Sequence, residues 1–295
     1  MASSPLRSKS YHARSVSLPS RSHPIIPQFN EHLCRLGTSS EATSSSFPSI
    51  NTLRGLENLY DCIDDLLQLP HTQQRLGQEC NEKTVEEALD GYLRLLDACA
   101  AAKDIFSQTK EDVKGQLSNL RRRRDASDFG GFIASRTKAK KVIQKLLKDL
   151  KSIENIDIYA LTLDKDHETV AMFSILKEVE AATVSALASL LSYASGTKMQ
   201  SRGSRWSLVS MLMHHKRATC QAKETVVSEF EKVDAAVHAL IGHKPIKSDD
   251  NKNIETVKIE LGELELSIQG VEEVLERLLR RLIRTRVSLL NILNQ

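Results

Sequence analysis

Aromatic side chains are scarce, at 4% of 295 residues, although hydrophobic residues as a whole reach 40%. A core made from Leu, Val, Ile and Ala suits interlocking helices better than a β-sandwich, whose strands favour aromatic and β-branched residues. The five cysteines (Cys34, Cys62, Cys80, Cys99 and Cys220) are odd in number and never form CxxC, which argues against a disulfide framework and against a zinc site. Proline is absent between Pro70 and Pro245, so helices there can run without a lost donor or a ring clash. No secretory apolar segment opens the chain. The longest charge-free run, 181–197, is short of the ~20 apolar residues of a membrane span and reads as a central buried helix. Net charge is +3, too mild to imply a nucleic-acid or membrane partner by itself.

What is present falls into two blocks. Residues 1–48 are rich in serine, hold five of the seven prolines and carry no acid before Glu31. Such a segment buries too little apolar surface to offset its ordering entropy, so a disordered tail is expected over 1–48. Residues 49–295 are expected to form an all-α, elongated up-and-down bundle of long amphipathic helices. One apolar series runs Val85, Leu89, Tyr92, Leu96, Cys99, Phe106, Val113, Leu117, Leu120, with Lys103 and Lys110 occupying and weakening two of its positions. A second is unbroken: Ile254, Val257, Leu261, Leu264, Ile268, Val271, Leu275, Leu278, Leu282, Thr285, Leu289, Ile292. Alternating steps of three and four over that length predict a helix longer than ~55 Å with one packed seam.

Further helices are expected over 51–69, ending at Pro70; 132–153, with Ile143, Leu147 and Leu150 inward; 164–194; and 206–241, with Val209, Met213, Cys220, Val227, Phe230, Val237 and Ile241 inward. Helix-stopping chemistry marks breaks at 125–131, 155–164, 195–204 and 242–250, and links this short favour antiparallel neighbours.

Phosphate-loop, dinucleotide and zinc-protease motifs are all missing, and no catalytic, cofactor-binding or metal-ligating residue is assigned. Gly130-Gly131 reads as a loop before a helix. His214 and His215, adjacent in sequence, point about 100° apart on a helix and do not readily share one ion. Asp64-Asp65 and Glu86-Glu87 read as solvated helix surface. Three basic clusters read first as solvated faces: Arg121 to Arg124; Lys138, Lys140, Lys141, Lys145, Lys148 and Lys151; and Arg277, Arg280, Arg281, Arg284 and Arg286. Their other use is contact with anionic lipid or an acidic partner. Without interleaved aromatics, nucleic acid is not expected.

The sharpest short motif lies in the tail. Arg14, Ser15, Ser17 and Pro19 form the RSxSxP pattern of a basophilic phosphosite read by 14-3-3 adaptors, with Ser17 as the candidate phosphosite. A phosphoserine brings nearly two negative charges to an arginine cluster, and the proline turns the chain away. The same tail, serine-rich and acid-poor, has the composition of a plastid transit peptide. The expected location is cytosolic, with the nucleus also open and the plastid as the alternative.

Several blocks, in order, carry a resemblance: 17–24 (SLPSRSHP), 59–62 (LYDC), 131–136 (GFIASR) and 205–210 (RWSLVS). The chain resembles a large plant family of domain-of-unknown-function type (the two-forty-one group), linked to the BYPASS-type proteins. The resemblance implies a helical land-plant protein associated with root and shoot development, with no activity, cofactor or catalytic residue attached. The reading is a non-enzymatic interaction or scaffold protein; its alternative is a peripheral membrane protein using basic helix faces on anionic lipid.

Overall fold

A computed structural model describes residues 24–39, 48–79, 82–123, 129–153, 167–196, 227–242 and 250–294. Among them are eight helices and no strand: α1 (Ile25–Ser39), α2 (Pro48–Gln68), α3 (Pro70–Glu79), α4 (Glu82–Arg123), α5 (Gly130–Ile153), α6 (His167–Ser195), α7 (Glu229–Gly242) and α8 (Asp250–Leu293). The 44 residues of α8 extend about 66 Å.

Helix direction follows from the ion pairs. Arg277, Arg281 and Arg284 of α8 meet Glu57, Asp61 and Asp64 of α2, each 220 residues away. A constant offset requires parallel helices. Against α4, Lys103 meets Glu276 and Lys110 meets Glu272, so position rises on one helix as it falls on the other. These two helices are antiparallel. The α4–α5 and α5–α6 pairs continue up and down, with Ser135 reaching back to Asp112 and Arg136 to Ala194. Helix α6 sits against α2, α4 and α5, burying Ala182, Val184, Leu187, Leu190, Leu191 and Ala194. The charge-free run is central, as its composition requires.

Every residue of the C-terminal seam from Ile254 to Ile292 is buried. In α4 the apolar series is buried too, save Leu96, which packs half-buried against the core. Lys103 and Lys110 do not weaken that seam. They stand at its edge, where Glu276 and Glu272 neutralise them.

Three expectations need correction. The block 1–48 contains α1, whose Phe29 and Leu36 are buried. Pro27 falls in its first turn, where a missing N–H costs nothing. A Cβ at Gly55 would come within 2.7 Å of Leu36, so this glycine lets α1 settle closely on α2. Pro70 ends α2 but also begins α3, with Gln73 Nε2 donating to the Leu67 carbonyl at 3.1 Å across the junction. In α7, Phe230 and Val237 are buried as expected, but Val227 and Ile241 are exposed and Val233 and Leu240 take the inner positions. The helix begins only at Glu229, after a reciprocal capping box. Glu231 N donates to Ser228 Oγ at 3.1 Å, and Ser228 N to Glu231 Oε2 at 3.0 Å. The remainder of the expected 206–241 helix, 206–226, lies outside the described residues.

Candidate interaction surfaces

Polar and charged side chains divide into those that join helices and those that face outward. Asp64, expected at the surface, is only 4% exposed. Arg284 donates to its Oδ2 at 3.3 Å and the buried Thr285 hydroxyl to its Oδ1 at 3.4 Å. Burial pushes its carboxyl above the usual range, against the pull of Arg284. Its neighbour Asp65 is exposed, as expected of both. Glu87 likewise departs from the solvated reading, being half-buried with its Oε2 sealed from solvent, while Glu86 is exposed.

A polar patch lies inside the bundle between α2, α4 and α6. Thr183 donates to the Val179 carbonyl at 2.7 Å, which leaves the Tyr60 hydroxyl to donate to Thr183 Oγ1 at 2.9 Å. Beside it, Glu180 is buried and meets Lys177 at 2.8 Å. Burial raises the Glu180 carboxyl and Lys177 opposes the rise. The carboxylate fits because α4 presents Gly91, where any Cβ would stand 2.8 Å from Glu180 Oε2. The Cys99 thiol is pushed up to about 12 by burial. It stays protonated at neutral pH, which removes it as a nucleophile.

A second cluster ties α5, α6 and α7 together. Arg136 is 5% exposed, on the same helix face as the buried Phe132 and Ile143. Its Nε and Nη2 donate to the two Asp234 oxygens at 3.2 and 3.3 Å, and Nη2 also to the Ala194 carbonyl at 3.1 Å. The guanidinium lies 4.8 Å from the Phe230 ring centroid. Lys140 adds a bond to Asp234 at 2.8 Å. Burial works to raise the Asp234 carboxyl, but Arg136 and Lys140 hold it below the ordinary carboxylate range.

Four of the five arginines of α8 are therefore engaged rather than a free basic face. Arg277, Arg281 and Arg284 are engaged by α2, and Arg280 donates to Glu276 at 3.2 Å within α8. Outward-facing groups are found elsewhere. Lys138, Lys141, Lys145 and Lys148 are exposed along α5, and Arg121 and Arg122 at the end of α4. On α8, Leu266 is 72% exposed, with Ile259 one heptad before it and Ile283 and Val287 further on. No group of three or more His, Cys, Asp or Glu among the described residues could hold a metal ion. No helix among them is long and apolar enough to cross a membrane. Arg14, Ser15, Ser17 and Pro19 lie outside the described residues, as do His214 and His215.

The family model described as Protein BPS1 matches residues 52–292. The chain belongs to the BPS1 family. This match runs from the first turns of α2 to the last turn of α8, so the family unit is the bundle itself, with both long ladders inside it. It is the BYPASS-related plant family that the sequence blocks resemble. Of those blocks, 59–62, 131–136 and 205–210 fall within the matched span; 17–24 and the Ser17 motif precede it. Neither the curated proteins nor the solved structures yield a match.

Proposed function

We propose that this BPS1-family chain is a non-enzymatic interaction or scaffold protein acting in root and shoot development. What carries this reading is the pairing of interior charges with outward apolar side chains. The buried carboxylates Asp64 and Glu180 and the half-buried Asp234 face cations from the bundle's own helices, which makes them parts of the frame. Ile259 and Leu266 meanwhile stand exposed one heptad apart on a continuous helix of 44 residues. A long helix with apolar side chains outside its packed seam is suited to presenting a helix face to a protein partner. Its location is the cytosol, and the tail adds a phosphorylatable Ser17 read by 14-3-3.

The test is purification of the tagged full chain from root and shoot tissue, in parallel with an Ile259→Glu, Leu266→Glu variant. Because both side chains are exposed, the variant retains the fold. The reading expects a defined set of proteins to accompany the wild type and to be depleted from the variant. Identical sets from both would overturn the assignment of this face.

A further inference from the structure

Five of the six lysines of α5 divide into two groups by helical position. At about 100° per residue, Lys140 falls on the side facing α7 and is spent on Asp234. Lys138, Lys141, Lys145 and Lys148 follow one another at steps of three, four and three, within an arc about 80° wide and opposite the buried side of the helix. Ile143, Leu146 and Leu150 define that buried side. The row spans about 15 Å. None of its four members has an ion-pair partner among the described residues, and all four are exposed. The arc contains no acidic residue; its other members are small (Gly130, Ala134 and Ser152), and Asp149 lies on its flank. The arginines of α8 are the opposite case, since α2 supplies an acid in register for three of them.

We infer that the Lys138–Lys141–Lys145–Lys148 face of α5 is a docking surface for an anionic phospholipid bilayer. Four like charges held in one row on a rigid helix repel each other, and no ion pair among the described residues relieves that. A plane of phosphate and carboxylate headgroups does so along the whole row. Lysine fits this use, because its ammonium is a compact hydrated charge that needs no bidentate partner. The face carries neither an aromatic residue nor an arginine on which a base could stack, which favours a bilayer over nucleic acid. The apolar side of α5 is committed to the bundle core, so the helix adsorbs through charge, and its attachment weakens as salt screens the headgroups. This inference does not depend on the protein-partner reading of α8, which uses a different helix face.

The experiment is flotation of the full chain with vesicles of phosphatidylcholine alone or mixed with phosphatidylserine. A variant with Lys138, Lys141, Lys145 and Lys148 all changed to Gln is run beside it, its helicity checked by circular dichroism. The tail is also basic, so a second variant carries Arg7, Lys9, Arg14 and Arg21 changed to Gln. Each lysine near an anionic surface changes partitioning about fivefold. The wild type and the tail variant should float with the phosphatidylserine vesicles only, and lose that binding as salt rises. The α5 variant should bind at least ~10-fold more weakly. Three results would overturn the inference: no flotation of the wild type, equal flotation of the α5 variant, or a wild type that ignores vesicles but binds single-stranded RNA through these same lysines.

Discussion

Arg277 Nε donates to Glu57 Oε1 at 2.8 Å, and the next two links of the ladder repeat the same 220-residue offset. Register and direction of α2 against α8 are thus written in charge as well as in apolar packing. A one-turn slip that lengthens the offset from 220 to 224 would bring Arg281 opposite Glu57 and leave Asp61 and Asp64 facing Thr285 and Ser288. Asp64 is the costly end, because a buried carboxylate without its cation is strongly destabilising.

Glu57→Arg should lower stability by about 1–2 kcal/mol, since the new cation would face both Arg277 and Arg281. Arg277→Glu in the same chain should recover part of the loss. Urea denaturation of the two single variants and the double variant gives the coupling directly. Purely additive losses would show that the contact carries no energy of its own.

Gly91 and Gly115 lie on the same helix and should respond oppositely to alanine. At Gly115 nothing stands within 4 Å of a new Cβ. Gly115→Ala should stabilise by about 0.4–1 kcal/mol through the unfolded chain and helix propensity. At Gly91 the methyl would meet the Glu180 carboxylate, itself buried and held by Lys177. Gly91→Ala should cost about 1–3 kcal/mol. Thermal melts of both variants decide; a stabilised Gly91→Ala would mean that Glu180 moves aside freely.

Periodicity made much of this fold legible. The α8 seam needs only steps of three and four, and each of its positions is buried. Position on a helix cannot show what stands opposite, and that is where the reading failed. Lys103 looks like a flaw in an apolar series until Glu276, 173 residues away, is placed beside it. Asp64 and Asp65 are indistinguishable in sequence, yet one is buried against Arg284 and Thr285 while the other faces solvent. Arg136 was hidden among the residues of a recognisable block, 131–136, because its partners come from α6 and α7. The serine-rich composition around α1 concealed Phe29 and Leu36, two buried residues in a short amphipathic stretch.

Two leucines of α8 should separate seam from surface. Leu278 is fully buried and Leu266 is 72% exposed. Leu278→Ala should cost about 2–5 kcal/mol, transfer and cavity terms together. Leu266→Ala should stay within about 0.5 kcal/mol of wild type. Equal losses would show that the Leu266 side chain is covered in the folded chain.

The acid limb of stability should belong in part to Asp234. Its carboxyl is held below the ordinary range in the fold, so in acid the unfolded chain takes up the proton first. A depressed carboxylate contributes stability that is complete above the unfolded value and is lost as pH falls through the folded one. Glu272 acts in the same direction, through Lys110 and Ser107 overcoming its burial. Glu180 and Asp64, raised by burial, act in the opposite direction: they favour the fold as pH drops from their folded values through the unfolded ones. Asp234→Asn should therefore be less stable than wild type near neutral pH, with Arg136 left buried and uncompensated. Denaturation at about pH 7, 5 and 3 should show that difference shrinking in acid. A difference independent of pH would assign the loss to packing alone.

The tail motif can be tested apart from the bundle, because the match to the BPS1 family begins at Thr52, well beyond it. Arg14 stands three residues before Ser17 and Pro19 two after it. We propose that a basophilic kinase reads the first, and that a 14-3-3 groove reads the phosphate together with the exit set by the proline. A peptide covering 12–21 should bind 14-3-3 when phosphorylated at Ser17 and fail to bind otherwise. Micromolar affinity, about −8 kcal/mol, is the scale for one such short segment, which must become ordered as it binds. In the full chain, Ser17→Ala should abolish the interaction and Pro19→Ala should weaken it. Binding that is blind to the phosphate, or absent with it, would leave Ser17 without this partner. The bundle reading would be untouched, because the ladders and seams that carry it lie in α2 to α8.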